Sequence, residues 1–191
     1  SLVQLYLQQP FIDIAKLFYG ELPKIRNVLM WAHPQNANKN IINSQDWHRD
    51  QEDWKIFKVF INFSDIALNN GATEYCNRTQ HGGEKGNAHP QDFLENNRGG
   101  SRFVPSKDLK ISNASGPIGT ISFINTNGLH KGGLVNEGIR LLTQCNYLKP
   151  TAVLLNNDTL PKFGYNNKIN VVDYESQEYL SLPDEQRFLV S

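Results

Sequence analysis

The sequence predicts a mainly β fold, a double-sheet jelly roll of cupin-like type with short helices before it and a polar arm after it. Three observations predict this. Runs rich in β-branched and aromatic residues recur between turn signals at intervals of about eight to twelve residues. One of them, 139–148, alternates in polarity and is ended by Pro150. Helical spacing of apolar residues is found near the N-terminus, over 3–19.

In that first stretch Leu5, Ile12, Ile14, Ala15, Leu17 and Phe18 fall at roughly helical intervals, with Pro10 as an interruption or a first-turn residue. One or two short helices ending near Gly20 are expected. Residues 25–31 read as a strand, and 34–43, rich in Pro, Asn, Gln and Lys, as a loop. Strands then dominate: 45–50, 55–63, 72–78 after the Asn69-Asn70-Gly71 turn signal, 116–125, 129–134 and 139–148. The segment 80–115 breaks the pattern, being rich in Gly, Asn, His, Lys and Arg. A long irregular loop in a compact domain is commonly functional, and a lid over a substrate pocket is the expectation. The arm, 150–191, is polar with apolar points at Phe163, Tyr165, Val171, Val172 and Tyr174.

The 191 residues suit one domain, 1–191, with its core at about 25–148. Lys+Arg and Asp+Glu are both 19, so no bulk attraction to nucleic acid or an anionic membrane is implied. No apolar run approaches the roughly 20 residues of a membrane span. The two cysteines, Cys76 and Cys145, lie in strand-like runs and read as buried free thiols. With no secretory leader in the sequence, the reading is cytoplasmic, a reducing setting; the four Asn-x-Ser/Thr sequons read as chance.

The chemistry centres on His48-Arg49-Asp50. Residues two apart on an extended strand face one way, so one segment aims an imidazole and a carboxylate at one point. His130, in Gly128-Leu129-His130-Lys131-Gly132-Gly133, offers a third ligand. Two His and one carboxylate on one face of an octahedron leave positions open, the arrangement of non-haem Fe(II) oxygenases. Ten residues beyond His130, Arg140 can hold a carboxylate with two parallel hydrogen bonds, which Lys does less well.

These features, with the Asn70-Gly71-Ala72-Thr73-Glu74 turn and strand and the Gly119-Thr120-Ile121-Ser122-Phe123 run, resemble the phytanoyl-CoA dioxygenase family over roughly 25–148. The resemblance implies a double-stranded β-helix and an Fe(II)- and 2-oxoglutarate-dependent oxygenase. His48, Asp50 and His130 would bind iron and Arg140 the distal carboxylate of 2-oxoglutarate. O2 would oxidise an unactivated C–H bond of a small-molecule metabolite, with release of succinate and CO2. No catalytic side chain is needed beyond the metal ligands. The retained Asp50 implies hydroxylation, because halogenating relatives replace that carboxylate. Gly132 departs from the pattern, since members often carry a small hydroxyl residue there to help hold the co-substrate. The helical support before the core is also short for the family.

Gln45, three before His48, and Phe60 and Asn62 on the next strand are further candidates for lining the co-substrate site. His81 reads as a structural neighbour of the site, and His33 and His89 as loop residues. Lys85, Arg98, Arg102 and Lys107 are solvated cations or a receptor for an anionic substrate. The alternative from another class is a cupin-type jelly roll that binds a metal or sugar without turnover; Arg140 is the discriminating residue.

Overall fold

The computed structural model describes residues 2–36, 43–88, 105–152 and 181–190. Helix α1 spans Leu2–Tyr6 and α2 Gln9–Tyr19. Pro10 sits in the first turn of α2, where its missing N–H costs nothing. Gly20 closes α2 in the left-handed conformation (φ 77°), its amide donating to Lys16 O. Seven strands follow among the described residues: β1 Lys24–Pro34, β2 Phe57–Asn62, β3 Glu74–Cys76, β4 Ile111–Asn113, β5 Ile121–Asn125, β6 His130–Lys131 and β7 Ile139–Leu148. Helix α3, Asp184–Val190, comes last among the described residues.

The strands form two antiparallel sheets, ordered β1-β7-β2-β5 and β4-β3-β6. This is the predicted jelly roll. The first sheet has two distinct faces, because directly opposed residues project to the same side. Val28, Cys145 and Val59 stand in one row and Phe57 and Tyr147 in the next. These side chains pack against Tyr6, Phe11, Ala15 and Tyr19 of the helices. Buried hydroxyls fix the register of this layer. Tyr19 Oη donates to Tyr147 O at 2.7 Å and accepts from Phe57 N at 2.9 Å, and Tyr147 Oη donates to Tyr6 O at 2.5 Å. Helix α3 adds Leu189 to a small cluster with Leu7 and Ile12.

The opposite face carries the row Asn27–Asn146–Lys58, the row Leu29–Gln144–Phe60, the row Trp31–Leu142–Asn62 and the pair His33–Arg140. This face looks into the jelly roll. It is mixed: Trp31, Phe60 and Leu142 pack with Ile66 and Ala72, while the row Asn27–Asn146–Lys58 is polar, and a buried polar row is costly unless it has partners.

Several expectations change. Residues 45–50 do not form a regular strand: Asn43–Gln45 is a 3-10 turn and His48 makes an isolated bridge. His33 lies on β1 opposite Arg140, not in a loop. The segment 80–115 contributes β4 and a 3-10 turn at Gly86–Ala88. Its residues His89, Arg98 and Arg102 lie outside the described residues, as do Phe163, Tyr165, Val171, Val172 and Tyr174. Both cysteines are buried and free, as expected. No helix among the described residues is long and apolar enough to cross a membrane.

Candidate metal centre

His48 and His130 face each other across the isolated bridge, each amide donating to the other's carbonyl at 2.9 Å. Their rings therefore lie on one side, with centroids 4.3 Å apart. Each Nδ1 meets a backbone carbonyl two residues earlier, Asp46 O at 2.7 Å and Gly128 O at 2.9 Å. A carbonyl only accepts, so Nδ1 carries the proton and each Nε2 keeps its lone pair. Asp50 follows on the same side, its amide donating to Thr126 O at 3.0 Å. Asp50 Oδ1 is 3.8 Å from His48 Nε2, and Oδ2 is 3.5 Å from His130 Nε2. An octahedron with bonds of about 2.1 Å has edges of about 3 Å, so one ion reaches all three with small side-chain movement. All three residues are buried, and their ligand atoms lie within 4.8 Å of one another.

Burial, and then the neighbouring His48, push the His130 imidazole down to about 3. The ring is thus neutral near pH 7, the form that ligates. Arg49, between the two ligands of its segment, points elsewhere. Its guanidinium donates to Asn127 O at 2.7 Å, to Gly86 O at 3.3 Å and to Thr79 O. It thereby ties the turn after β3 to the segment that leads into His130.

Two cations of the interior face are buried, and their partners differ. Lys58, on β2, has Nζ 2.6 Å from Asp50 Oδ2 and 3.4 Å from Glu52 Oε1. Asn146 Nδ2 donates to the same Glu52 oxygen at 3.3 Å. Arg140, 6% exposed, has a hydroxyl for a partner: Nη2 donates to Thr73 Oγ1 at 3.0 Å. Its Nε has no partner, and no carboxylate pairs with it among the described residues. Burial alone lowers it to about 10, so it stays charged near neutrality.

The space around Arg140 is shaped by glycines. At Gly71 (φ 91°) a Cβ would stand 2.7 Å from Arg140 Cδ, so the arginine passes over a backbone that has no side chain. At Gly132 a Cβ would lie 3.6 Å from both Arg140 Nη1 and Ser44 O, in ordinary van der Waals contact with each. Gly132 N donates to Ser44 O at 2.7 Å, which brings the 3-10 turn holding Gln45 up to this spot.

The remaining sequence candidates fall as follows. Phe60 is half-buried on the interior face, against Leu142, Ile66, Ala72 and Trp31. Asn62 is buried, and its amide donates to Gly116 O at 3.1 Å. His81 is exposed, its ring 4.5 Å from Trp54, and its amide donates to Asn127 Oδ1. It lines a surface cavity of about 660 Å³ with Trp54, Gln80, Lys55 and others, and that cavity shares no residue with the triad. Lys107 is exposed, and Lys85 lies beside Asp108 at 3.5 Å. Sequence reasoning missed Thr73 and Lys58. The signal for Lys58 was a lysine at an inward position of the most buried strand run. That for Thr73 was a hydroxyl just beyond Gly71, in the segment facing Arg140.

The fold and the triad together define a jelly-roll protein with a candidate two-histidine, one-carboxylate metal centre. Solved structures of this architecture match the chain. The non-haem alpha-ketoglutarate-dependent epimerase SnoN from nogalamycin biosynthesis matches with a TM-score of 0.58 at 15% identity, over 85% of this chain and 65% of that one. The carbocyclase SnoK, from the same biosynthesis and with the same dependence, matches with a TM-score of 0.55 at 10% identity, over 78% of this chain and 58% of that one. EctD from S. alaskensis, solved with bound Fe, matches with a TM-score of 0.52 at 13% identity, over 78% of this chain and 53% of that one. The chain thus spans two thirds or less of the length of these structures. No protein-family model matches, and no curated protein matches.

Proposed function

We propose that the chain is an Fe(II)- and 2-oxoglutarate-dependent dioxygenase of the phytanoyl-CoA dioxygenase type, a single domain that hydroxylates a small-molecule metabolite. The observation that carries this reading is Arg140. A buried guanidinium without a carboxylate partner among the described residues is costly. It is accounted for when a ligand brings the anion. The triad supplies the other half: two Nε2 lone pairs and one carboxylate, all on one side. EctD has been solved with 2-oxoglutarate and 5-hydroxyectoine, and SnoN with Fe3+, alpha-ketoglutarate and a nogalamycin compound, so this architecture accommodates both groups in those proteins.

Bound iron with 2-oxoglutarate would supply the oxidation of a C–H bond by O2, coupled to formation of succinate and CO2. The chain's own residues hold and exclude. His48, Asp50 and His130 would hold Fe(II), with the two Nδ1–H···O=C bonds fixing the ring planes. Arg140 would pair with the distal carboxylate of the co-substrate, and Thr73 would hold the guanidinium in place. Gly132 puts no side chain against Arg140 Nη1, which a Cβ there would touch. Gln45, next to the Ser44 carbonyl that accepts from Gly132 N, and Phe60 and Asn62, on the interior face, are the neighbouring candidates for the walls of the co-substrate site. A cupin-type binder would have no use for Arg140 in this setting. Two buried free thiols agree with a cytoplasmic setting.

The test is succinate release from 2-oxoglutarate under air with added Fe(II), across a panel of small metabolites. The reading expects slow release alone and faster release with the true substrate. Iron-loaded protein that forms no succinate with any of them would contradict it.

A further inference from the structure

Lys58 is the second buried cation of the site, and it lies against a metal ligand. A carboxylate can bind a metal through one oxygen or two. In an octahedron, two histidines and a one-oxygen Asp50 leave three positions; a two-oxygen Asp50 leaves two. A chelating co-substrate and O2 together require three. Asp50 has its oxygens in unequal settings: Oδ2 is 2.6 Å from Lys58 Nζ as well as 3.5 Å from His130 Nε2, while Oδ1 faces His48 Nε2 at 3.8 Å. We propose that Lys58 is a positioning residue that holds Asp50 Oδ2 away from the ion, so that Asp50 ligates through Oδ1 alone. The inference rests on the metal-centre reading above and extends it to the number of open positions.

The rest of the cluster is built to keep Lys58 there. Its side chain is 8% exposed, and its row on the sheet places Asn146 directly beside it. Glu52 Oε1 lies 3.4 Å from Nζ and accepts from Asn146 Nδ2 at 3.3 Å. Glu52 therefore shares the ammonium with Asp50. A neutral side chain at 58 would leave both carboxylates buried without that cation, and a charge-assisted hydrogen bond of this length sets direction as well as charge.

The test uses Mn(II) alone as the probe. Broadening of its electron paramagnetic resonance lines in oxygen-17-enriched water counts the waters bound to the ion. The wild type is expected to hold about three, and Lys58→Arg, which keeps the cation, about three. Because Lys58→Met alone strands two buried carboxylates, the decisive variant is Lys58→Met with Glu52→Gln. It is expected to hold about two waters, as Asp50 turns to bind through both oxygens. An unchanged water count in that double variant, with Mn(II) still bound, overturns the inference and leaves the metal-centre reading standing. Failure of the wild type to bind Mn(II) at all overturns both. Thermal stability alone does not move this readout, so a merely structural role for Lys58 predicts no change in it.

Discussion

His48 and His130 are a directly opposed cross-strand pair, joined by two backbone hydrogen bonds of 2.9 Å, with their rings 4.3 Å apart. Eighty-two residues of sequence separation thus collapse into one bridge, which sets the two imidazoles of the candidate metal site side by side. His130→Ala should therefore abolish tight Fe(II) or Mn(II) binding while leaving the bridge formed. A fall in affinity of more than about 100-fold is expected, beyond the 10- to 100-fold typical of outer partners. Competition with a chelator measures it.

How much of this was legible in the sequence can be judged residue by residue. That His48, Asp50 and His130 come together was legible because the chemistry fixes their types: imidazole and carboxylate have few substitutes where a metal is to be held. The strand expected at 45–50 was not formed. Asp46 spends its carbonyl on the His48 ring, and the preceding residues turn as a 3-10 element. The same-face argument survives because His48 and Asp50 each hydrogen-bond to the 126–130 segment. Lys58 and Thr73 were illegible because their meaning lies in what the fold sets opposite them. A lysine in a β run reads as an exposed position until the sheet shows that its row faces inward, next to Asp50. β7 was legible with its ends, since ten alternating residues closed by a proline leave little choice. β4 was hidden inside a segment too polar and irregular to announce three residues of pairing.

Gly71 should be intolerant of any side chain. It combines a left-handed φ of 91° with a virtual Cβ 2.7 Å from Arg140 Cδ and 3.0 Å from Val135 Cγ2. Gly71→Ala is expected to cost about 1–3 kcal/mol in stability and to move Arg140. Urea unfolding with a parallel titration of 2-oxoglutarate into the iron-loaded protein checks both. A stable variant with unchanged 2-oxoglutarate affinity would contradict the arrangement.

Tyr19 links α2 to two strands through one hydroxyl. Tyr19→Phe keeps the ring but leaves Phe57 N–H and Tyr147 C=O without that partner. The expected loss is about 1–3 kcal/mol, read as a lower urea midpoint with metal affinity unchanged. The second readout separates the helix layer from the site.

The metal-free protein should weaken in acid through His130. Its folded-state pKa, about 3, lies below the usual 6.5, with burial the main cause. The unfolded chain therefore takes up the proton first as pH falls. Stability that is full above about 6.5 is lost progressively toward about 3. His130→Asn removes this contribution, so its unfolding midpoint should fall less between about pH 7 and pH 4.5. Equal slopes for the two proteins would contradict a buried neutral imidazole.

The central claim is that the triad and Arg140 form one site for iron and 2-oxoglutarate. Anaerobic titration of 2-oxoglutarate into the Fe(II)-loaded wild type, followed by visible absorption, tests it most directly. A weak charge-transfer band that grows to saturation, and that needs far more 2-oxoglutarate in Arg140→Ala at equal iron occupancy, is the predicted result. Iron demonstrably bound at the triad with no such band at any 2-oxoglutarate concentration would contradict it.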